Sequence, residues 1–135
     1  MDYRTVLTTC TYCGCGCNFF LEVLDGQLIG TLPCKTSPVN EGKLCIKGWN
    51  VHEFVHSPKR LTTPLVRKNG QLTESSWEEA LSLTAERLKQ LATEHGPDSL
   101  AFLASAKVTN EENYLLQKFA RAGVGTNNID HCARL

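Results

Sequence analysis

The sequence has no excess of charge of either sign, no apolar run approaching a membrane span, and no repeat or low-complexity segment. Its 14 lysines and arginines balance 14 aspartates and glutamates, so nothing marks a surface for a polyanion such as nucleic acid. The opening "MDYRTVLTTC" lacks a basic head followed by an apolar stretch, and it lacks twin arginines. These absences point to the cytoplasm, where free thiols stay reduced. With 41% apolar and 21% charged residues, the chain reads as neither disordered nor fibrous. Its 135 residues suffice for one core, or for one small module and the beginning of another.

Cysteine is what the chain has in surplus. The 7 cysteines stand at positions 10, 13, 15, 17, 34, 45 and 132, and all but the last fall within the first 45 residues. In a reducing compartment such crowding argues for a metal site rather than for disulfides, because several soft thiolates must converge on one centre.

The local patterns divide the chain. "NFFLEVLDGQLIGTL" reads as a β-hairpin turning at Asp25–Gly26. "PCKTSPVNEGKLC" is loop chemistry that returns Cys45 toward the first cysteines. Residues 57–65, "SPKRLTTPL", read as extended linker. At Ser76 the period becomes helical. Ser76 and Glu79 form a capping box, and Trp77, Ala80, Leu81, Thr84, Leu88, Leu91 and Ala92 fall on one face up to the stop at Gly96–Pro97. "SLAFLAS" suits a buried parallel strand. Thr109 and Glu112 cap a second helix that ends at Gly123 and Gly125. The fold class is α+β or α/β, a small β-rich unit followed by the first helix–strand–helix of an incomplete α/β domain. A strand without neighbours predicts that residues 70–135 fold poorly alone.

Cys10, Cys13, Cys17 and Cys45 form the pattern C-x2-C-x3-C-x27-C. A cubane iron–sulfur cluster takes four thiolates, three from one tight loop and a fourth that closes the site. Gly14 and Gly16 let such a loop turn sharply and bring amides near the sulfurs. Structural zinc, which favours two C-x2-C pairs, and a redox dithiol on the single C-x2-C pair remain alternatives. Cys15 and Cys34 read as supernumerary thiols, and Cys132 as a small buried apolar side chain. His52, His56 and His95 show no ligand spacing with the cysteines. Lys47, two residues after Cys45, reads either as a solvated lysine or as a cation beside an anionic centre.

"CTYCGCGC" with "GKLCIKGW" resembles the N-terminal iron–sulfur motif of the molybdenum or tungsten bis-pyranopterin oxidoreductases. "SWEEAL", "SAKVTNEENYLLQKFARA" and "GTNNIDHCARL" resemble the formate dehydrogenase catalytic subunits of that group. The resemblance runs through essentially the whole chain. It implies a [4Fe–4S] cluster on Cys10, Cys13, Cys17 and Cys45 in a domain at residues 1–57, then a linker at 58–75 and the beginning of a pterin-binding domain at 76–135. It gives Lys47 the relay position between cluster and pterin. It gives Ser105, Lys107, Asn110 and Asn113 places along the pterin, where Lys107 replaces an arginine of some relatives and loses its bidentate fork.

The cofactors implied are the cluster and a bis-molybdopterin guanine dinucleotide carrying molybdenum or tungsten. The substrate implied is formate or carbon dioxide. The partners implied are iron–sulfur electron-transfer subunits leading to NAD or a hydrogenase, with no nucleic acid and no membrane span. No catalytic residue is expected within the chain. The family's metal ligand, selenocysteine or cysteine followed by histidine, is expected directly after Leu135, with selenocysteine favoured because its codon is usually read as stop. Rival readings are a non-catalytic iron–sulfur electron-transfer module and a nitrate reductase-type member of the same group.

Overall fold

A computed structural model describes residues 1–132. The chain divides into two compact units, one built from Met1–Arg60 with Ser105–Asn113, the other from Leu61–Ala104 with Tyr114–Cys132. The fold class is mixed α/β, with small antiparallel sheets. Among the described residues no helix is long and apolar enough to cross a membrane.

The first unit is organised by a three-stranded sheet of β1 (Tyr3–Thr9), β2 (Asn18–Leu24) and β3 (Gln27–Pro33), in that order. The expected hairpin is β2–β3. Its turn residues Asp25 and Gly26 both have positive φ, 46° and 82°, as a two-residue turn between twisted strands requires. β1 was not anticipated. It pairs antiparallel with β2 from Tyr3 opposite Leu24 to Thr9 opposite Asn18, so the cysteine loop is the connection between two paired strands. The core behind that loop consists of Cys10, Phe19 and Val51, with Tyr12, Cys17, Leu21 and Leu44 packed against it. A one-turn helix α1 (Ile46–Trp49) is fastened to β3, where the buried Thr31 hydroxyl donates to the Trp49 carbonyl at 2.7 Å.

The second unit begins with a correction. Residues 65–74, read from sequence as part of a linker, form an antiparallel hairpin of β4 (Leu65–Lys68) and β5 (Gln71–Glu74). Its Asn69–Gly70 turn has the same positive-φ geometry, 51° and 84°, and the preceding Pro58 and Pro64 hid it. α2 (Trp77–His95) starts where expected. The Ser76 hydroxyl accepts from the Glu79 N–H at 3.1 Å, and Gly96 ends the helix at φ 83°. The anticipated apolar face is only half-covered. Ala80, Leu88, Leu91 and Ala92 are partly buried, whereas Trp77 and Leu81 remain exposed.

The expectation of a buried, neighbourless strand at residues 99–105 is also corrected. β6 (Phe102–Ser105) pairs with β7 (Ile129–Cys132), and none of its residues is fully buried. Asp98 secures this corner, accepting the Thr126 hydroxyl at 2.8 Å on its carboxylate and the Asn128 amide at 2.8 Å on its carbonyl. Phe102 and Phe119 meet edge to face at 5.5 Å. α3 (Asn110–Lys118) continues into a π-helical turn at Phe119–Val124 and ends at Gly125, φ 88°. The expected capping box is present, with the Glu112 N–H on the Thr109 hydroxyl at 3.3 Å and the Thr109 N–H on the Glu112 carboxylate at 2.7 Å.

Candidate metal centre

The cysteine loop follows β1 and precedes β2, and its ends are tied together. The Cys10 N–H donates to the Cys17 carbonyl at 2.8 Å, so six residues bulge from a closed neck. Cys10 is buried in the core, Cys13 and Cys17 are half-buried, and Cys15 is exposed. Gly16 takes φ 70°, which supplies the sharp turn read from the sequence. Gly14 does not. Its φ is ordinary, and its lack of a side chain answers to a different constraint, since a Cβ there would collide with the Asn110 side-chain amide.

Cys45 reaches the same place through an interlock the sequence did not reveal. The Asn40 amide oxygen accepts the Asn18 N–H at 2.9 Å, while its nitrogen donates to the Asn18 carbonyl at 3.1 Å and the Lys43 carbonyl at 2.9 Å. The Ser37 hydroxyl donates to the Asn18 side chain at 3.0 Å. Asn18 directly follows Cys17, so this part-buried pair brings the returning loop against the first. The result is a concavity of about 720 Å³ lined by Cys13, Cys15, Cys17 and Cys45 together with Val39, Leu44 and the Glu41–Lys43 pair, and Cys10 packs behind Cys17.

The thiols differ in their electrostatics. Burial, then contact with the Cys15 thiol at 3.4 Å and the neighbouring Cys10 and Cys13, pushes Cys17 up to about 11. Cys45 moves the other way. It occupies the N-cap of α1 and makes no side-chain cap hydrogen bond, yet the Gly48 N–H, first, and then the Lys47 N–H and ammonium hold its thiol below the usual value, against the opposing effect of burial. Cys34 is a buried thiol 3.5 Å from the Thr36 hydroxyl, as a packed residue should be. Cys132 is exposed, which corrects the expectation of a buried side chain. The His56 Nε2 accepts the Leu28 N–H at 3.1 Å, a structural contact away from the cysteines.

Among the described residues no three cysteines, histidines or carboxylates are close enough to clasp one ion. A cubane presents four separate irons to its ligands and therefore holds its thiolates farther apart than a single ion does. A loop with soft donors, a closed neck and a fourth cysteine brought to the same concavity, with no three of the described donors close enough for one ion, fits the larger group better than a tetrahedral zinc site.

Lys47 lines a second concavity of about 610 Å³, with Tyr12, Asn50, Glu53 and Phe54. The segment from Ser105 to Asn113 is held by its own bonds. The Lys107 N–H donates to the Ser105 hydroxyl at 3.0 Å, and the Asn113 amide to the Ser105 carbonyl at 3.1 Å. Asn110 turns elsewhere, donating to the Gly14 carbonyl at 3.2 Å. Arg134 and Leu135 lie outside the described residues.

A model of the molybdopterin oxidoreductases matches residues 60–135, more than half of the chain. The chain belongs to the molybdopterin oxidoreductase family. The Fe4S4 domain of the same family matches residues 3–57 and thus encloses the whole cysteine constellation. A [4Fe–4S] cluster and a molybdopterin come with that membership. Among curated proteins the chain is 54% identical over 135 residues to the F420-dependent formate dehydrogenase 1 subunit alpha of Methanococcus maripaludis. It is 50% identical over 135 residues to the F420-dependent formate dehydrogenase subunit alpha of Methanocaldococcus jannaschii. It spans all of its own length in both alignments and 19% of theirs. Among solved structures it resembles the acetylene hydratase of Pelobacter acetylenicus, with a TM-score of 0.66 and 27% identity, over 93% of this chain and 18% of that one.

Proposed function

We propose that this molybdopterin oxidoreductase chain is the N-terminal segment of the catalytic subunit of a formate dehydrogenase or carbon dioxide reductase. The supporting observation is the extent of the likeness to formate dehydrogenase alpha subunits, which at 54% identity spans all 135 residues and so takes in the pterin-side half as well as the cysteine half. When bound, the cluster supplies one-electron storage and the pterin-held metal supplies the two-electron chemistry of formate.

This chain's own residues would contribute as follows. Cys10, Cys13 and Cys17 offer three thiolates from one loop, and Cys45 closes the set from the start of α1. Lys47 places a cation beside the Cys45 thiolate, which supports its role as the relay residue. Ser105, Lys107 and Asn113 offer hydroxyl, ammonium and amide groups toward the pterin, from a segment braced by its own hydrogen bonds. The cluster domain is proposed at residues 1–57 and the pterin-binding domain from residue 76 onward.

The proposed partners are iron–sulfur electron-transfer subunits. The names of the similar proteins favour F420 as the final acceptor over the NAD or hydrogenase outlets implied by the sequence motifs. Molybdenum or tungsten, a selenocysteine or cysteine metal ligand, and a cytoplasmic setting belong to the same proposal and rest on the sequence resemblance.

The test is formate-dependent dye reduction by the anaerobically purified holoenzyme, with nitrate-dependent dye oxidation as the control. Turnover with formate and none with nitrate is expected. The reverse would move the chain to the nitrate reductase type, and neither would leave it an electron-transfer module. Lys47→Met should slow turnover while iron and pterin content stay unchanged.

A further inference from the structure

We propose that Asn110 is a positioning residue for the cysteine loop, and that residue 14 is glycine in order to admit it. The proposal rests on the assignment of Cys10, Cys13, Cys17 and Cys45 as cluster ligands.

Two features meet at this contact. The Asn110 amide donates to the Gly14 carbonyl at 3.2 Å across 96 residues of sequence. Gly14 has no positive φ to explain its identity, unlike Gly16 two residues on, and the space a Cβ would take is filled by the Asn110 side chain. The requirement at Gly14 is therefore close approach, whereas at Gly16 it is conformation.

Asn110 is presented from a rigid base. It is the first residue of α3, directly after the Thr109 cap and within the Thr109–Glu112 capping box, and Asn113 anchors the same turn to the Ser105 carbonyl. The peptide between Gly14 and Cys15 is planar and trans, so fixing the direction of the Gly14 carbonyl also fixes the direction of the Cys15 N–H. Amides oriented around a cluster set its reduction potential and its iron retention. The segment proposed to face the pterin thereby holds the loop proposed to carry the cluster. Asn110 acts in this arrangement as a brace, rather than as the pterin contact implied by the sequence resemblance.

The experiment compares four anaerobically purified holoproteins: the parent, Asn110→Ala, Gly14→Ala and the double variant. Iron per chain and the midpoint potential of the cluster, followed by EPR, are the readouts. Gly14→Ala should lose more than half of its iron, because the new methyl displaces the Asn110 amide or the loop. Asn110→Ala should keep its iron and shift the potential to more negative values, since a freed loop no longer holds its amides toward the anionic centre. The double variant should regain most of the iron lost by Gly14→Ala. An Asn110→Ala protein with the parent's potential and line shape would overturn the inference, and so would a double variant no better than Gly14→Ala. A parent that binds no four-iron cluster would refute the ligand assignment instead. The brace is then read from alkylation of the exposed Cys15 thiol, which Asn110→Ala accelerates several-fold if Asn110 holds the loop and leaves unchanged if it does not.

Discussion

The two units hold themselves together by different means. The first closes around a small saturated centre. Phe19 is 1% exposed, Cys10 and Val51 enclose it, and the Asn18–Asn40–Ser37 interlock satisfies the polar groups beside it. The second relies on helix caps and hairpin turns around far less buried apolar surface. Val66 and Ala120 are its buried hydrophobic residues, Leu103 is 83% exposed, and a gap of about 170 Å³ remains between α2 and the π-helical turn. Helices draw most of their stability from packing, so the caps and turns of this unit set where its elements begin and end rather than how firmly they are held. The Fe4S4-domain match lies in the unit with the larger buried apolar core.

That contrast is open to direct attack. Phe19→Ala should cost about 3–5 kcal/mol in anaerobic urea unfolding of the cluster-loaded protein, the usual loss for a buried aromatic side chain. Leu103→Ala should stay within about 0.5 kcal/mol, as solvent-facing changes do. Equal losses would erase the distinction between the units.

Asn40→Ala should come next. It removes two hydrogen bonds that hold the Cys45 loop to Asn18, the residue after Cys17, and a third to the Lys43 carbonyl within that loop. A cost of about 1–3 kcal/mol is expected for the polar groups left unpaired, together with faster loss of iron under chelation. A variant that retains iron as the parent does would show that the interlock is not what positions Cys45.

Ser76→Ala probes the other kind of stability. Loss of the Glu79 cap should cost about 1 kcal/mol, read as reduced hydrogen-exchange protection in the first turn of α2, with no effect on iron content.

The smallest effect is chemical. In cluster-free protein near neutral pH, Cys45 should be alkylated before Cys17. Cys45 is held below the ordinary thiol value, so its thiolate is favoured in the folded state, and the stability it contributes is lost as pH falls through that lowered pKa. Cys17 is raised from 9.0 to about 11, so it opposes folding as pH rises through that window. Mass mapping of the first alkylated thiol decides the order, and Cys17 reacting first would reverse the electrostatic picture.

The features legible in the sequence were those with short-range signatures. The Asp25–Gly26 turn, both capping boxes and the Gly96 stop stand where their residues indicated. The triplet spacing of Cys10, Cys13 and Cys17 marked a loop that the structure closes at its neck. What escaped was non-local or masked. β1 alternates weakly because most of its residues face solvent, and the Asn69–Gly70 hairpin follows Pro58 and Pro64, which suggested a linker. The exposure of Trp77 and Leu81 shows that an apolar stripe fixes a helix without fixing its cover. The Asn18–Asn40 and Asn110–Gly14 contacts join positions 22 and 96 residues apart, and no periodicity announces such pairs.

The central claim is that Cys10, Cys13, Cys17 and Cys45, and not Cys15, hold the four-iron cluster. Mössbauer spectroscopy with iron quantitation on anaerobically purified holoprotein carrying Cys45→Ser, set beside the same measurement on Cys15→Ser, tests it most directly. Cys45→Ser should lose the [4Fe–4S] signature, and Cys15→Ser should keep it at the parent's iron content. A Cys15→Ser protein stripped of iron, or a Cys45→Ser protein with an unaltered spectrum, would contradict the account.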